Sequence, residues 1–273
     1  MIVAGCDIGS LTGKAVILSD AGILASRVLR VTAAPKKSAE TVMEMALTDA
    51  GLAMNALDYV IGTGYGRKKI PFADRVESEI SCHGKGAWWS CDAIRTVIDI
   101  GGQDAKAIKL SQSGDVIRYV YNDKCAAGTG RFLEVMAEAL EVPLEDMGQI
   151  SREAGREAGR VLEISSQCVV FAESEIISLV NDGREIPDIL KALHRAMANR
   201  IISLARSIGV EPEIAVTGGV AKNAGVYEAL EEKLKMPVQT LRVDPQINGA
   251  LGAAVMALET AAEKVQTMQK AIR

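Results

Sequence analysis

Short apolar runs that end in Asp and Gly alternate along this chain with longer segments of helical periodicity. The first run, residues 2–4, leads into Cys6-Asp7-Ile8-Gly9, and a second apolar run follows at residues 15–18. Two such runs on either side of a turn rich in Gly and hydroxyl residues predict a β-hairpin at the start of the chain.

Four segments show the three- and four-residue spacing of apolar positions that predicts amphipathic helices. They span residues 38–57, 130–140, 188–208 and 248–262. The third has the strongest pattern, with one face formed by Ile189, Leu190, Leu193, Met197, Ile201, Leu204 and Ile208. Elsewhere the pattern predicts strands at residues 57–61 and 214–216 and a Gly-rich loop at residues 62–67.

The opening pattern returns in the second part of the chain. Residues 96–104 again run from an apolar strand into Asp99-Ile100-Gly101-Gly102, 92 residues after Asp7-Ile8-Gly9-Ser10. A spacing of this size indicates duplication of a subdomain rather than a short solenoid repeat. We expect the last helix to pack back on the first subdomain. The expected subdomains are residues 1–95 and residues 96–273.

The composition favours an α/β protein. Hydrophobic residues make up 48% of the chain but aromatic residues only 4%, which suits helices packed on a sheet better than an all-β sandwich. The net charge of −4 predicts no nucleic-acid or anionic-membrane partner. The N-terminal residues lack the pattern of a secretion signal and the apolar runs are shorter than a membrane span. We therefore expect a cytoplasmic protein.

An Asp at the end of a strand, followed by Gly and hydroxyl residues, suits the chemistry of phosphate. The carboxylate can hold hydrated Mg²⁺, while turn N–H groups and hydroxyls bind phosphate oxygens. One Asp-Ile-Gly turn is weak evidence, because most such turns are ordinary strand ends. Two copies, with a third Gly-rich turn at residues 217–220, are far more specific. The Walker sequence of P-loop enzymes is absent from the chain.

The three turns resemble the phosphate-1, phosphate-2 and adenosine motifs of the actin, heat-shock-protein and sugar-kinase superfamily. The resemblance implies an α/β fold with two duplicated βα subdomains around a nucleotide cleft, and an Asp7 that holds Mg²⁺. Asp7, Gln103 and Asp104 are the candidate catalytic residues; Gln103 either orients the attacking water or is only a turn residue. The implied nucleotide-binding residues are Ser10, Thr12, Lys14, Asp99, Gly101, Gly102, Gly218, Gly219 and Asn223.

Two of the five cysteines stand at unusual places. Cys125 and Cys168 each come shortly before a predicted helix, and three further candidate cofactor-binding residues follow the first of them: Gly128, Thr129 and Gly130. A helix N-terminus favours a thiolate and suits an anionic iron–sulfur cluster. A [4Fe–4S] cluster needs four thiolates, which a two-fold homodimer would provide. Zinc bound by four cysteines satisfies the same count, and two buried structural cysteines are the plainer alternative.

Five strings closely resemble the activators of 2-hydroxyacyl-CoA dehydratases, a family also called component A or activase: NDKCAAGTGRFLE, SSQCVVFAESE, VIDIGGQD, TGYGR and VTGGVAKN. Together they cover nearly the whole chain in the family's order. The resemblance implies a homodimer that shares one [4Fe–4S] cluster through Cys125 and Cys168. It also implies an ATPase that uses ATP, with ADP as product, to drive a low-potential electron from ferredoxin or flavodoxin into the dehydratase.

Other functions fit the same fold. The related ATPase subunits of benzoyl-CoA reductases share fold and cluster, so the partner is either a dehydratase or an aryl-CoA reductase, and a sister subunit could replace the second copy. A small-molecule kinase or an actin-like scaffold would have no need of the paired cysteines. Cys6, where the family usually has Ile, is expected to be structural, like Cys82 and Cys91. His83 and His194 are expected in a loop and a helix rather than as ligands.

Overall fold

The computed structural model describes residues 1–155, 162–164 and 168–271, which divide into two compact units. Unit 1 comprises Met1–Arg95, Leu110–Ile117 and Leu241–Arg273, and unit 2 comprises Thr96–Lys109 and Arg118–Thr240. The strands are β1 (Ile2–Ile8), β2 (Thr12–Ser19), β3 (Gly22–Arg30), β4 (Tyr59–Thr63), β5 (Arg75–Val76), β6 (Thr96–Ile100), β7 (Ala105–Leu110), β8 (Val116–Asn122), β9 (Ile214–Thr217) and β10 (Val238–Gln239). The helices are α1 (Pro35–Ala50), α2 (Glu79–Ser90), α3 (Gly130–Ala139), α4 (Met147–Arg152), α5 (Val169–Asn181), α6 (Ile186–Arg206), α7 (Ala224–Leu234) and α8 (Asn248–Ala271).

Unit 1 contains a five-stranded sheet of order β3-β2-β1-β4-β5, in which β1 is antiparallel to β2 and parallel to β4. Helix α1 covers one face of this sheet, and α8 covers the other together with α2. Because side chains alternate along a strand, Ala4, Cys6 and Ile8 of β1 are buried on the α1 side and Val3 on the α8 side. Asp7 has the same parity as Val3, so the pleat directs its carboxylate to the α8 side.

Unit 2 repeats this plan with a sheet of order β10-β9-β6-β7-β8. Here β6 is antiparallel to β7 and parallel to β9, as β1 is to β2 and β4. Ile98 and Ile100 of β6 join a hydrophobic cluster with residues of α3, α4, α5, α6 and α7. Asp99 lies between these two residues in sequence, so its side chain points away from that cluster.

The observed elements differ from the predicted ones at several places. Helix α1 ends early, at Gly51, whose left-handed φ of 66° forms the C-cap. The predicted loop at 62–67 begins inside β4, and α8 runs on to Ala271. The prediction of a loop at His83 was wrong, because this residue lies in α2. Within the described part of the chain, no helix is long and apolar enough to cross a membrane.

Candidate functional site

The first hairpin holds a buried ion pair. Asp7 of β1 stands opposite Lys14 of β2 and is 4% exposed. Lys14 Nζ lies 3.2 Å from Asp7 Oδ2. The turn that joins the strands contains the half-buried Ser10 and is closed by the Gly9 N–H, which donates to the Thr12 carbonyl at 3.0 Å. The lysine compensates the charge of a carboxylate that would be costly to bury alone.

Two glycines keep the space beside the Asp7 carboxylate open. Gly64 has a φ of 90°, and an ideal Cβ at this residue would lie 2.3 Å from Asp7 Oδ1. A Cβ on Gly249, in the first turn of α8, would lie 2.8 Å from Asp7 Oδ2. A side chain at either position would therefore fill the cradle. Since Mg²⁺ and its bound waters prefer carboxylate oxygens, the donor and the open space fit a hydrated Mg²⁺ at Asp7.

The second hairpin repeats the geometry of the first. Asp99 of β6 stands opposite Lys106 of β7, whose Nζ lies 3.2 Å from Asp99 Oδ2. The Gly101 N–H closes the turn by donating to the Asp104 carbonyl at 2.9 Å. Lys106 Nζ also lies 2.6 Å from Asp104 Oδ2. The duplication seen in the sequence is thus a duplication of the same Asp–Lys pair, seven residues apart in both hairpins.

The two aspartates differ in the contacts that they make besides the one with lysine. Asp7 is in register with Thr63 of β4, and Asp99 is in register with Thr217 of β9. Each threonine is followed by a glycine with a similar positive φ, 90° at Gly64 and 87° at Gly218. The Thr217 hydroxyl donates to Asp99 Oδ1 at 2.8 Å, whereas the Thr63 hydroxyl donates to the Glu77 carbonyl. Both oxygens of Asp99 are therefore bonded within the protein. Among the described residues no group donates to Asp7 Oδ1, so this oxygen is available to a ligand.

The turn of the second hairpin is joined to the start of α3. The Gly101 carbonyl accepts a hydrogen bond from the Gly130 N–H at 2.9 Å, and the Gly102 carbonyl accepts one from the Arg131 N–H at 2.8 Å. Gln103 lies in the same turn and is exposed. The sequence-predicted residues of the second turn are thereby brought together with the glycine at which α3 begins.

The third turn begins at Gly218. Its φ is 87°, and an ideal Cβ would lie 2.3 Å from the Ile100 carbonyl oxygen, so the turn packs directly on the end of β6. Gly219 starts a short 3₁₀ helix. The Asn223 side chain caps α7 by accepting from the Val226 N–H at 3.1 Å. The second and third turns are thus adjacent in unit 2.

Cys125 lies in a loop that is tied down at several points. Its carbonyl accepts a hydrogen bond from Asn122 Nδ2 at 3.2 Å. The buried Thr129 donates its hydroxyl to the Ala126 carbonyl at 2.6 Å and is the N-cap of α3, and Gly128 has a φ of 86°. Cys125 therefore precedes its helix by one loop rather than directly, because the intervening residues form this turn.

Cys168 is itself the N-cap residue of α5 and is exposed. Helix α5 packs against α3 in unit 2, and the residues just before Cys168, 165–167, lie outside the described part of the chain. Cys6 and Cys82 are fully buried in unit 1. Burial raises the pKa of both thiols, that of Cys82 to about 12. Of these four thiols, Cys125 and Cys168 are the ones suited to bind an external group.

Sequence reasoning missed three residues of these sites. Lys106 and Thr217 hold Asp99, and His83 lies close to Asp7 in unit 1. The seven-residue spacing of the first Asp–Lys pair could have identified Lys106. Thr217 and His83 come from other strands and helices, so a local pattern carries no information about them. Within the described residues, no three His, Cys, Asp or Glu side chains group into a metal site.

Comparison with known proteins agrees with this geometry. Residues 4–257 match the model of the BadF/BadG/BcrA/BcrD ATPase family. The activator of lactoyl-CoA dehydratase from Anaerotignum propionicum is 45% identical over 97% of this chain and 100% of its own length. The structure of the activator of 2-hydroxyisocaproyl-CoA dehydratase from Clostridium difficile, with bound ADPNP, is 40% identical, with a TM-score of 0.91 over 98% of both chains.

A ROK-family glucokinase from Streptomyces griseus, at 14% identity and a TM-score of 0.56 over 95% of this chain and 100% of its own, shares the fold alone. The predicted fold class and the resemblance to dehydratase activators are both confirmed. This chain is an ATPase with the actin and sugar-kinase fold, and it belongs to the BadF/BadG/BcrA/BcrD ATPase family.

Proposed function

We propose that this ATPase is an activator that delivers a low-potential electron to a 2-hydroxyacyl-CoA dehydratase. The observation that carries the proposal is the placement of Cys168 at the N-cap of an exposed helix start, with Cys125 in a tied loop of the same unit. A sugar kinase has no use for two accessible thiols at such places. Two similar proteins are named for activating acyl-CoA dehydratases.

The two cysteines suit a [4Fe–4S] cluster shared between two copies of the chain. Thiolate sulfur is the usual ligand of such clusters, and four are needed. Cys6 and Cys82 are excluded by burial, and the half-buried Cys91 belongs to unit 1 rather than to unit 2 with Cys125 and Cys168. A second copy would therefore supply the other two thiolates by two-fold symmetry. The N-terminal end of α5 stabilises negative charge at Cys168. When bound, the cluster supplies one-electron chemistry at low potential.

The nucleotide is assigned to the glycine-rich turns. Asp7 would hold hydrated Mg²⁺ through the oxygen that no described residue bonds, while Lys14, Ser10 and Thr12 of the same hairpin would bind phosphate oxygens. In unit 2 the phosphate-binding candidates are Gly101, Gly102, Gly128, Thr129 and Gly130, and Asp104 is a candidate catalytic residue. Gln103 is exposed in that turn and is the candidate to orient the attacking water. Gly218, Gly219 and Asn223 are assigned to the adenosine.

We expect the electron donor to be ferredoxin or flavodoxin, which match the low potential of such a cluster. ATP can favour an electron-delivering state only to the extent that it binds that state more tightly than the alternative. Hydrolysis would then release the protein from this state after each transfer. The expected behaviour is ATP turnover that depends on the partner enzyme.

The test is ATP-dependent activation of a 2-hydroxyacyl-CoA dehydratase under anaerobic conditions. We expect Cys125→Ser and Cys168→Ser to reduce activation to background without changing ADP affinity, because serine removes the sulfur ligand but keeps the side-chain size, so the backbone of the nucleotide turns is unchanged. Cys91→Ser, half-buried at the end of α2, is the matched control and should activate normally. Normal activation by Cys125→Ser would contradict the proposal. Activation of an aryl-CoA reductase alone would move the partner to that class.

A further inference from the structure

Glycines bring α2 and α8 unusually close beside the first hairpin. An ideal Cβ on Gly252 of α8 would lie 1.7 Å from the Cys82 carbonyl oxygen, and one on Gly86 of α2 would lie 2.4 Å from the Asn248 carbonyl oxygen. Real side chains never approach this closely, so only glycine permits the contact. As a result, the buried side chains of His83 and Asn248 meet between the two helices.

Asn248 fixes the protonation pattern of the His83 ring. Asn248 Nδ2 donates to the His83 carbonyl at 2.9 Å and lies 3.4 Å from His83 Nδ1. The His83 carbonyl can only accept, so the amide nitrogen, with its two hydrogens, faces it and points toward Nδ1. His83 Nδ1 is then the acceptor, and in the neutral ring the hydrogen is on Nε2.

The Nε2 side of His83 faces the Asp7 carboxylate. The position of a Cβ on Gly249 would be 2.9 Å from His83 Nε2 and 2.8 Å from Asp7 Oδ2, so both atoms border one small space that glycine leaves open. The same Asp7 oxygen is bound by Lys14. We propose that His83 is a positioning residue for Asp7, which orients the carboxylate from the α2 side and leaves Oδ1 to the hydrated Mg²⁺.

The second hairpin shows why such a residue is needed. There Thr217 is the second neighbour that fixes Asp99, while the matching Thr63 of the first hairpin donates to Glu77 instead. A carboxylate held by one lysine can rotate about its Cβ–Cγ bond, and outer neighbours commonly fix ligands of this kind. His83 Nε2 borders the space next to the oxygen that Lys14 binds, so the opposite oxygen, beside Gly64, stays open.

The inference rests on the proposed Mg²⁺ role of Asp7, and its test uses ADP binding with and without Mg²⁺. His83→Gln places an amide nitrogen near the original Nε2, whereas the shorter His83→Asn places it near the original Nδ1. We expect His83→Asn to weaken ADP binding in Mg²⁺ by about tenfold, the usual loss for an outer neighbour of a metal ligand. His83→Gln should bind nearly as the wild type does. In EDTA all three proteins should bind ADP equally.

Cys82→Ala, a change at the neighbouring buried residue of α2, is the control for altered helix packing and should bind as the wild type does. Equal ADP affinity of His83→Asn and wild type in Mg²⁺ would overturn the inference. So would equal losses in both His83 variants, or a loss that persists in EDTA, since these indicate a packing role. If the wild type itself binds ADP equally in Mg²⁺ and EDTA, the Mg²⁺ role of Asp7 is wrong.

Discussion

At the scale of single residues, the two duplicated aspartates have different neighbours. Asp99 is 2% exposed, and both of its oxygens are bonded, to Lys106 and Thr217. Asp7 has one lysine and an open oxygen beside Gly64. Their residue type and place in the hairpin are the same, so the difference comes from the partners that each unit supplies. We therefore assign structure to Asp99 and ligand binding to Asp7.

Asp99→Asn should lower the free energy of unfolding by about 2 kcal/mol, because it removes a carboxylate charge that compensates the buried Lys106 ammonium. Urea denaturation measures this loss. The double variant with Lys106→Met removes the uncompensated charge and should recover part of it. An unchanged stability in Asp99→Asn would show that the pair is not structural.

His194 predicts a pH dependence of stability. It is 1% exposed in α6, its ring nitrogens have no hydrogen-bond partner among the described residues, and burial lowers its pKa to about 4. Between pH 6.5 and pH 4 the unfolded chain therefore binds a proton at His194 that the folded chain does not bind. The free energy of unfolding consequently falls as the pH falls through this window. Relative to His194→Leu, the wild type should lose about 2 kcal/mol between pH 7 and pH 5. Parallel pH profiles of the two proteins would contradict this.

The sequence predicted residues of the candidate site only where those residues belong to one local sequence pattern. Asp7, Gly9 and Thr12 belong to one turn, and their equivalents recur at a fixed spacing. The same pattern could have predicted Lys106. It could not have predicted His83, because the position of His83 near Asp7 depends on how two helices distant in sequence pack.

At the scale of elements, the close contact between α2 and α8 determines how the helices of unit 1 pack near the first hairpin. Gly5 of β1 extends it, since a Cβ there would lie 2.0 Å from the Ala250 carbonyl oxygen. The contact buries backbone against backbone rather than large side chains. It fixes the start of α8 against the end of β1, where Asp7 lies.

Gly252→Ala should lower the free energy of unfolding by about 3 kcal/mol or prevent folding, because its Cβ would meet backbone that cannot move aside. Thermal or urea unfolding tests it. Gln266→Ala, an exposed position of the same helix, is the control and should be neutral. A Gly252→Ala protein as stable as the wild type would show that the helices are not in close contact.

Periodicity predicted the elements that bury large apolar side chains. Helix α6 was expected at residues 188–208 and spans Ile186–Arg206, because its buried face carries a full stripe of Leu, Ile and Met. Helix α2 has no such stripe; its buried residues include Gly84, Gly86 and Ala87. A helix that packs through small residues leaves little hydrophobic pattern to detect.

At the scale of the whole molecule, the fold follows from a duplicated unit, and the proposed function depends on two cysteines. Each unit carries one Asp–Lys hairpin, but only unit 2 carries Cys125 and Cys168. Two thiols on one chain are half of the ligand set that a [4Fe–4S] cluster requires. The account therefore needs a second copy of the chain to complete the site.

The most direct test of this claim is the iron and acid-labile sulfide content of anaerobically purified protein, measured with its mass in solution. The account predicts a brown dimer with about four iron and four sulfide per two chains, and loss of both in Cys125→Ser and Cys168→Ser. Zinc in place of iron, or a colourless, metal-free monomer, would contradict it.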